Sequence, residues 1–135
     1  MNGDPYRFVI RAFADLRGLR STLRAWLHTH GVETQSIEDL LVAVSEVATN
    51  GIEASADRVA EVEAATDPLQ VRVVVTNEGP WVPEARPPTD ERVVLRERGR
   101  GLDIARALVD SVSFSRIDNR TRATLVKRRD QSDPA

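Results

Sequence analysis

The sequence contains no cysteine. Disulfides, thiolate metal sites and a cysteine nucleophile are therefore excluded. Aromatic residues make up only 4% of the chain, too few for the stacking platforms that hold single-stranded nucleic acid. Lysine is nearly absent: of 19 basic residues, all but Lys127 are arginine. These 19 stand against 21 acidic residues, a formal net charge of −2, so no basic excess drives binding to nucleic acid or anionic lipid. No apolar run approaches the ~20 residues of a membrane span. The opening Met1-Asn2-Gly3-Asp4-Pro5 lacks the charged-then-apolar order of a signal peptide, and a cytoplasmic setting is expected.

What is present suffices for a core. The chain has 135 residues and is 41% hydrophobic, the size of one domain over 1–135. Such a domain hides roughly two-thirds of its unfolded surface. A loose alternation from Tyr6 to Phe13 predicts an opening strand. Leu16, Leu19, Leu23, Trp26 and Leu27 recur at helical spacing, with Asp15 as the expected N-cap and Gly31 as the stop. Ser36-Ile37-Glu38-Asp39 fits a capping box, and the helix it opens should reach about Ser55. The period then changes. Val59 to Ala65 and Leu69 to Thr76 read as strands about a turn at Asp67-Pro68. Because Val74 interrupts the alternation of Val71, Val73 and Val75, that strand is expected to be covered on both sides for part of its length.

From Glu78 to Arg100 the chain is rich in proline, glycine and charge, and a loop this long in a compact domain is usually functional or disordered. A third helix is expected after Gly101, with Leu102, Ala105, Leu108 and Val109 on one stripe. Val112 to Ile117 and Ala123 to Val126 should close as a hairpin turning at Asp118-Asn119-Arg120. Residues from about 129 to 135 read as a frayed tail. Hairpins with helices grouped between them predict an α+β, two-layer sandwich, its helices on one face of a mixed, largely antiparallel sheet.

Three segments carry possible chemistry. On the second helix Ile37, Leu40, Leu41, Val44 and Ala48 form an apolar stripe, and Asp39, Glu46, Asn50 and Glu53 fall opposite it. Glu46 and Asn50 are four residues apart, so their side chains emerge one turn apart and can address one ligand. A carboxylate can take a proton, and an amide oxygen suits a hard cation. The bland alternative is a solvated helix face. The second segment, Val75-Thr76-Asn77-Glu78-Gly79-Pro80-Trp81, is a strand running into a glycine turn. The third, Arg98-Gly99-Arg100-Gly101-Leu102-Asp103, places two glycines at a helix start, where free backbone N–H groups suit an anion.

In this order, E-x-x-x-N on a helix, N-x-G after a strand and G-x-G-L at a helix start, the chain resembles the ATP-binding fold shared by gyrase, heat-shock chaperones, histidine kinases and mismatch-repair proteins. Leu41 to Ala54 is similar to the asparagine box of its short stand-alone branch, the anti-sigma-factor serine/threonine kinases. Arg98 to Leu102 is similar to that branch's second glycine box. The resemblance spans roughly Tyr6 to Arg128.

The resemblance implies ATP and Mg2+ as cofactors, with Glu46 as catalytic base and Asn50 as magnesium ligand. It implies nucleotide contacts from Asn77 and Gly79 near adenine, from Arg98, Gly99, Arg100, Gly101 and Leu102 near the triphosphate, and from Thr121 on the adenine side. A segment at about 80–100 would be a lid. The implied partners are a sigma factor and an anti-sigma-factor antagonist protein, with a homodimer as a further implication. The family's first glycine box has Asp where this chain has Asn77, and its closing strand has Gly where this chain has Arg120. Two readings follow. One is a transcription-regulating kinase that works by partner switching. The other is a binding module of the same fold that acts by sequestration alone.

Overall fold

The computed structural model describes residues 4–55, 59–78 and 101–129. In chain order they form β1 (Tyr6–Ile10), α1 (Asp15–Thr29), α2 (Thr34–Ala54), β2 (Ala60–Thr66), β3 (Gln70–Glu78), a helix α3 over 101–108, β4 (Ser111–Ile117) and β5 (Arg120–Arg128). The strands make one sheet in the order β1-β2-β3-β5-β4, and every described pairing is antiparallel. This is the expected α+β sandwich, without a parallel pair among the described strands.

Strand alternation decides which residues meet the helices. Ile10, Val62, Val73, Val75, Ala123 and Leu125 lie on the helix-facing side and are buried. Leu19, Leu23 and Leu27 of α1 pack there beside Leu40, Val44 and Ala48 of α2. The predicted apolar stripe of α2 is real but too narrow. Ala43, Val47 and Ile52 are equally buried, because α1 flanks this helix while β2, β3 and β5 lie beneath it. Leu102, Ala105 and Val109 join the same core.

Several boundaries differ from the sequence reading. β1 stops at Ile10 because the chain turns at once, with the Asp15 and Leu16 amides donating to the Ala12 and Phe13 carbonyls. Asp15 is the first helical residue and Ala14 the N-cap. The Asp15 carboxylate instead reaches back to accept from the amides of Arg11 and Ala12. α2 opens two residues before the expected capping box, at Thr34, because Glu33 already has extended backbone and its carbonyl accepts from the Ile37 amide. Ser36 is therefore inside the helix and buried. Val74 is half-buried on the sheet face opposite the helices, between Glu63 and Thr124, so the described residues do not sandwich its strand there.

Both turns follow the local chemistry. Asp67 Oδ1 accepts from the amides of Leu69 and Gln70, an Asx turn. Asp118 and Asn119 have φ of 54° and 62°, the left-handed pair of a two-residue hairpin, and place Ile117 opposite Arg120. Arg129, at the edge of the expected frayed tail, is tied down: its amide donates to Leu69 O and its guanidinium to Thr66, Asp67 and His30. The rest of that tail lies outside the described residues.

Candidate functional site

The stretch of the polar side of α2 that carries Glu46 and Asn50 is not a solvated face. Asn50 is 5% exposed, and its Nδ2 is buried with no hydrogen-bond partner among the described residues. Glu46, one turn earlier, is half-buried, whereas Asp39 is paired with Lys127 and Glu53 is exposed. Leaving a buried amide donor unsatisfied costs about 1–3 kcal/mol. Such an atom in a native fold calls for an explanation, and a ligand acceptor is one.

The sheet delivers the next residues by periodicity. On β3 the helix-facing series Val71, Val73, Val75 continues to Asn77, and on β5 the series Leu125, Ala123 continues to Thr121. Asn77 and Thr121 are directly opposite in the β3–β5 register. Both are buried, at 5% and 1% exposure. Two polar residues thus occupy the end of a row that is otherwise apolar. The Asn77 amide nitrogen donates to Glu78 O over a long 3.4 Å.

Two glycines set the close approaches. A β-carbon at Gly51 would lie 3.2 Å from Asn77 Oδ1, so α2 and β3 come together here because residue 51 has no side chain. A β-carbon at Gly101 would lie 2.7 Å from Glu46 Oε1. The first described turn of α3 therefore stands against the Glu46 carboxylate. Leu102 follows with its side chain in the core, at 8% exposure, which leaves only its backbone to address a ligand.

Of the residues singled out in the sequence, Glu46, Asn50, Asn77, Gly101 and Thr121 thus gather where α2, α3 and the β3–β5 pair meet. Gly79, Arg98, Gly99 and Arg100, with the expected lid, lie outside the described residues. Gly51 was given no role in the sequence reading. The available signal was a glycine inside a helical pattern, which costs about 1 kcal/mol relative to alanine and usually has a packing reason. Ser45 was also missed: its hydroxyl is buried without a partner among the described residues. The site combines a carboxylate, an amide one turn away and a glycine at the facing helix. It can take a proton and offer an oxygen to a hard cation beside it.

Residues 11–127 match the family described as the histidine kinase-like ATPase domain. Among solved structures, the chain is similar to that of the RsbU and RsbW domains of Rv1364c from Mycobacterium tuberculosis, with 26% identity and a TM-score of 0.67. That match covers 94% of this chain and 33% of the other, so the chain spans about a third of that relative's length. The SiaB–SiaC complex from Pseudomonas aeruginosa matches at 16% identity and a TM-score of 0.55, over 91% of this chain and 89% of that one. The catalytic domain of the histidine kinase ThkA matches at 14% identity and a TM-score of 0.54, over 92% and 97%. At these identities the last two speak for the fold alone. Among the described residues no helix is long and apolar enough to cross a membrane.

Proposed function

Because the chain belongs to the histidine kinase-like ATPase domain family, we propose that it is an ATP- and magnesium-dependent serine/threonine protein kinase that regulates transcription by partner switching. It holds a sigma factor inactive and phosphorylates an antagonist protein. The observation that carries this reading is the pair on α2: Glu46, half-buried with its carboxylate against Gly101, and Asn50 one turn on, only 5% exposed. A pure binding module has no chemical need for either.

In this reading Glu46 takes the proton from an attacking serine or threonine hydroxyl as its oxygen bonds to the γ-phosphorus and ADP leaves. Asn50 offers its side-chain oxygen to magnesium, which neutralises charge on the phosphates when bound. Asn77, Gly79 and Thr121 form the adenine end. Arg98, Gly99, Arg100, Gly101 and Leu102 serve the triphosphate, the glycines by letting it approach the backbone closely. The residues fit the nucleotide on two observations: Asn50 Nδ2, a buried donor with no partner among the described residues that a phosphate oxygen would satisfy, and the close stand of Gly101 against Glu46 Oε1, which only a residue without a side chain allows. Likeness at 26% identity to a chain bearing an RsbW domain supports a partner-switching role.

Asn77 favours a second reading, sequestration without catalysis. A neutral amide forms hydrogen bonds roughly half as strong as those of a carboxylate at that place. Calorimetric titration with ATP, with and without magnesium, followed by transfer of labelled phosphate to a candidate antagonist, separates the two. Magnesium-dependent binding and transfer support the kinase. Sigma-factor binding with no nucleotide binding supports the module.

A further inference from the structure

We infer that the base end of this site accepts purine nucleoside triphosphates with either an amino or an oxo group at position 6, and that Asn77 reads that edge. This rests on the nucleotide reading above and deepens it to a substrate class. Asn77 is buried at the end of the helix-facing row, opposite Thr121 and against Gly51. A primary amide carries one acceptor oxygen and two N–H donors, whereas a carboxylate carries acceptors only.

Nothing among the described residues holds the Asn77 amide firmly in one orientation. Its one hydrogen bond runs from Nδ2 to Glu78 O at 3.4 Å, beyond the usual range for N–H···O. A half-turn about the last side-chain bond exchanges oxygen and nitrogen and breaks only that weak contact. Gly51 permits the exchange, since a β-carbon there would already crowd the present oxygen at 3.2 Å.

The two orientations complement the two kinds of base. Adenine presents an amino donor beside a ring-nitrogen acceptor; hypoxanthine presents an oxo acceptor beside a ring N–H donor. The amide oxygen and nitrogen match the first edge in one orientation and the second after the flip. A carboxylate would set an oxygen lone pair against the 6-oxo group. Sites with a fixed polar partner reject the wrong analogue by as much as ~10⁴–10⁵, and an adaptable amide removes that penalty.

The test is calorimetric titration of the full chain with ATP and with inosine triphosphate, each with magnesium. The Kd values are expected to lie within about tenfold of each other, a difference of no more than about 1.4 kcal/mol. Asn77→Asp, its folding checked by thermal melt, is expected to shift the ratio toward ATP by at least about tenfold. Inosine triphosphate binding more than about 100-fold weaker than ATP overturns this inference alone. An unchanged ratio in folded Asn77→Asp overturns the role of Asn77. Binding of neither nucleotide overturns the inference together with the reading beneath it. If Asn77→Asp does not fold, the ratio for the parent chain decides.

Discussion

A β-carbon on Gly101 would stand 2.7 Å from Oε1 of Glu46, well inside van der Waals contact. The first described turn of α3 and the carboxylate of α2 therefore share a space that exists only because residue 101 lacks a side chain. The carboxylate is the far end of a flexible chain, so a side chain at 101 would displace it without breaking the fold.

Gly101→Ala is accordingly expected to fold and to melt no lower than the parent, since alanine favours a helix interior by about 1 kcal/mol over glycine. Phosphate transfer should fall at least about tenfold as Glu46 is pushed aside. In a Glu46→Gln background the same substitution should cost little more, the non-additivity of residues that act through one contact. Transfer rates for the four proteins of this cycle check it; equal losses in both backgrounds would separate Gly101 from Glu46.

Glu46→Gln keeps the side chain's shape and removes its ability to accept a proton. Transfer is expected to fall by ~10²–10⁴ while ATP affinity stays nearly unchanged. Single-turnover transfer and calorimetry on one preparation measure both. Transfer at the parent rate would leave Glu46 as packing for α3 and nothing more.

Asn50→Ala removes a buried amide whose nitrogen has no partner among the described residues. Stability should not fall, because the lost packing is offset by relief of the unsatisfied donor and by alanine's helix propensity. Magnesium-dependent nucleotide binding should drop sharply. Thermal melts paired with titrations in magnesium and in chelator test this. A large loss of stability with unchanged magnesium dependence would make Asn50 a structural residue.

Far from the candidate site, Lys127 Nζ donates to Leu108 O at 2.7 Å and to Asp39 Oδ2 at 3.3 Å. It thus joins the end of α3 and the first half of α2 to β5. Lys127→Met keeps the apolar stem but leaves a carbonyl and a carboxylate without this partner. Urea denaturation is expected to show a loss of about 1–3 kcal/mol. An unchanged midpoint would place this lysine among ion pairs of no energetic consequence.

Features set by short-range geometry are legible in the sequence alone. The leucine spacing of α1 and the apolar positions of α2 specify helices because 3.6 residues make a turn. That same period puts Glu46 and Asn50 one turn apart whatever surrounds them. Asp118 and Asn119 specify their hairpin because these residues tolerate positive φ at little cost. Helix starts were less legible: Ser36-x-x-Asp39 is a valid capping pattern, yet the backbone of Glu33 had already begun the helix. The character of the polar side of α2 could not be read locally at all, since a solvated face and a lined site share one pattern. Long-range packing settles it. Insertion of β5 between β3 and β4 sets Thr121 opposite Asn77, and the missing side chains of Gly51 and Gly101 bring β3 and α3 against Asn50's helix. Those contacts join residues far apart in the chain, and long-range register depends on how the whole buried face packs, not on any one segment's period.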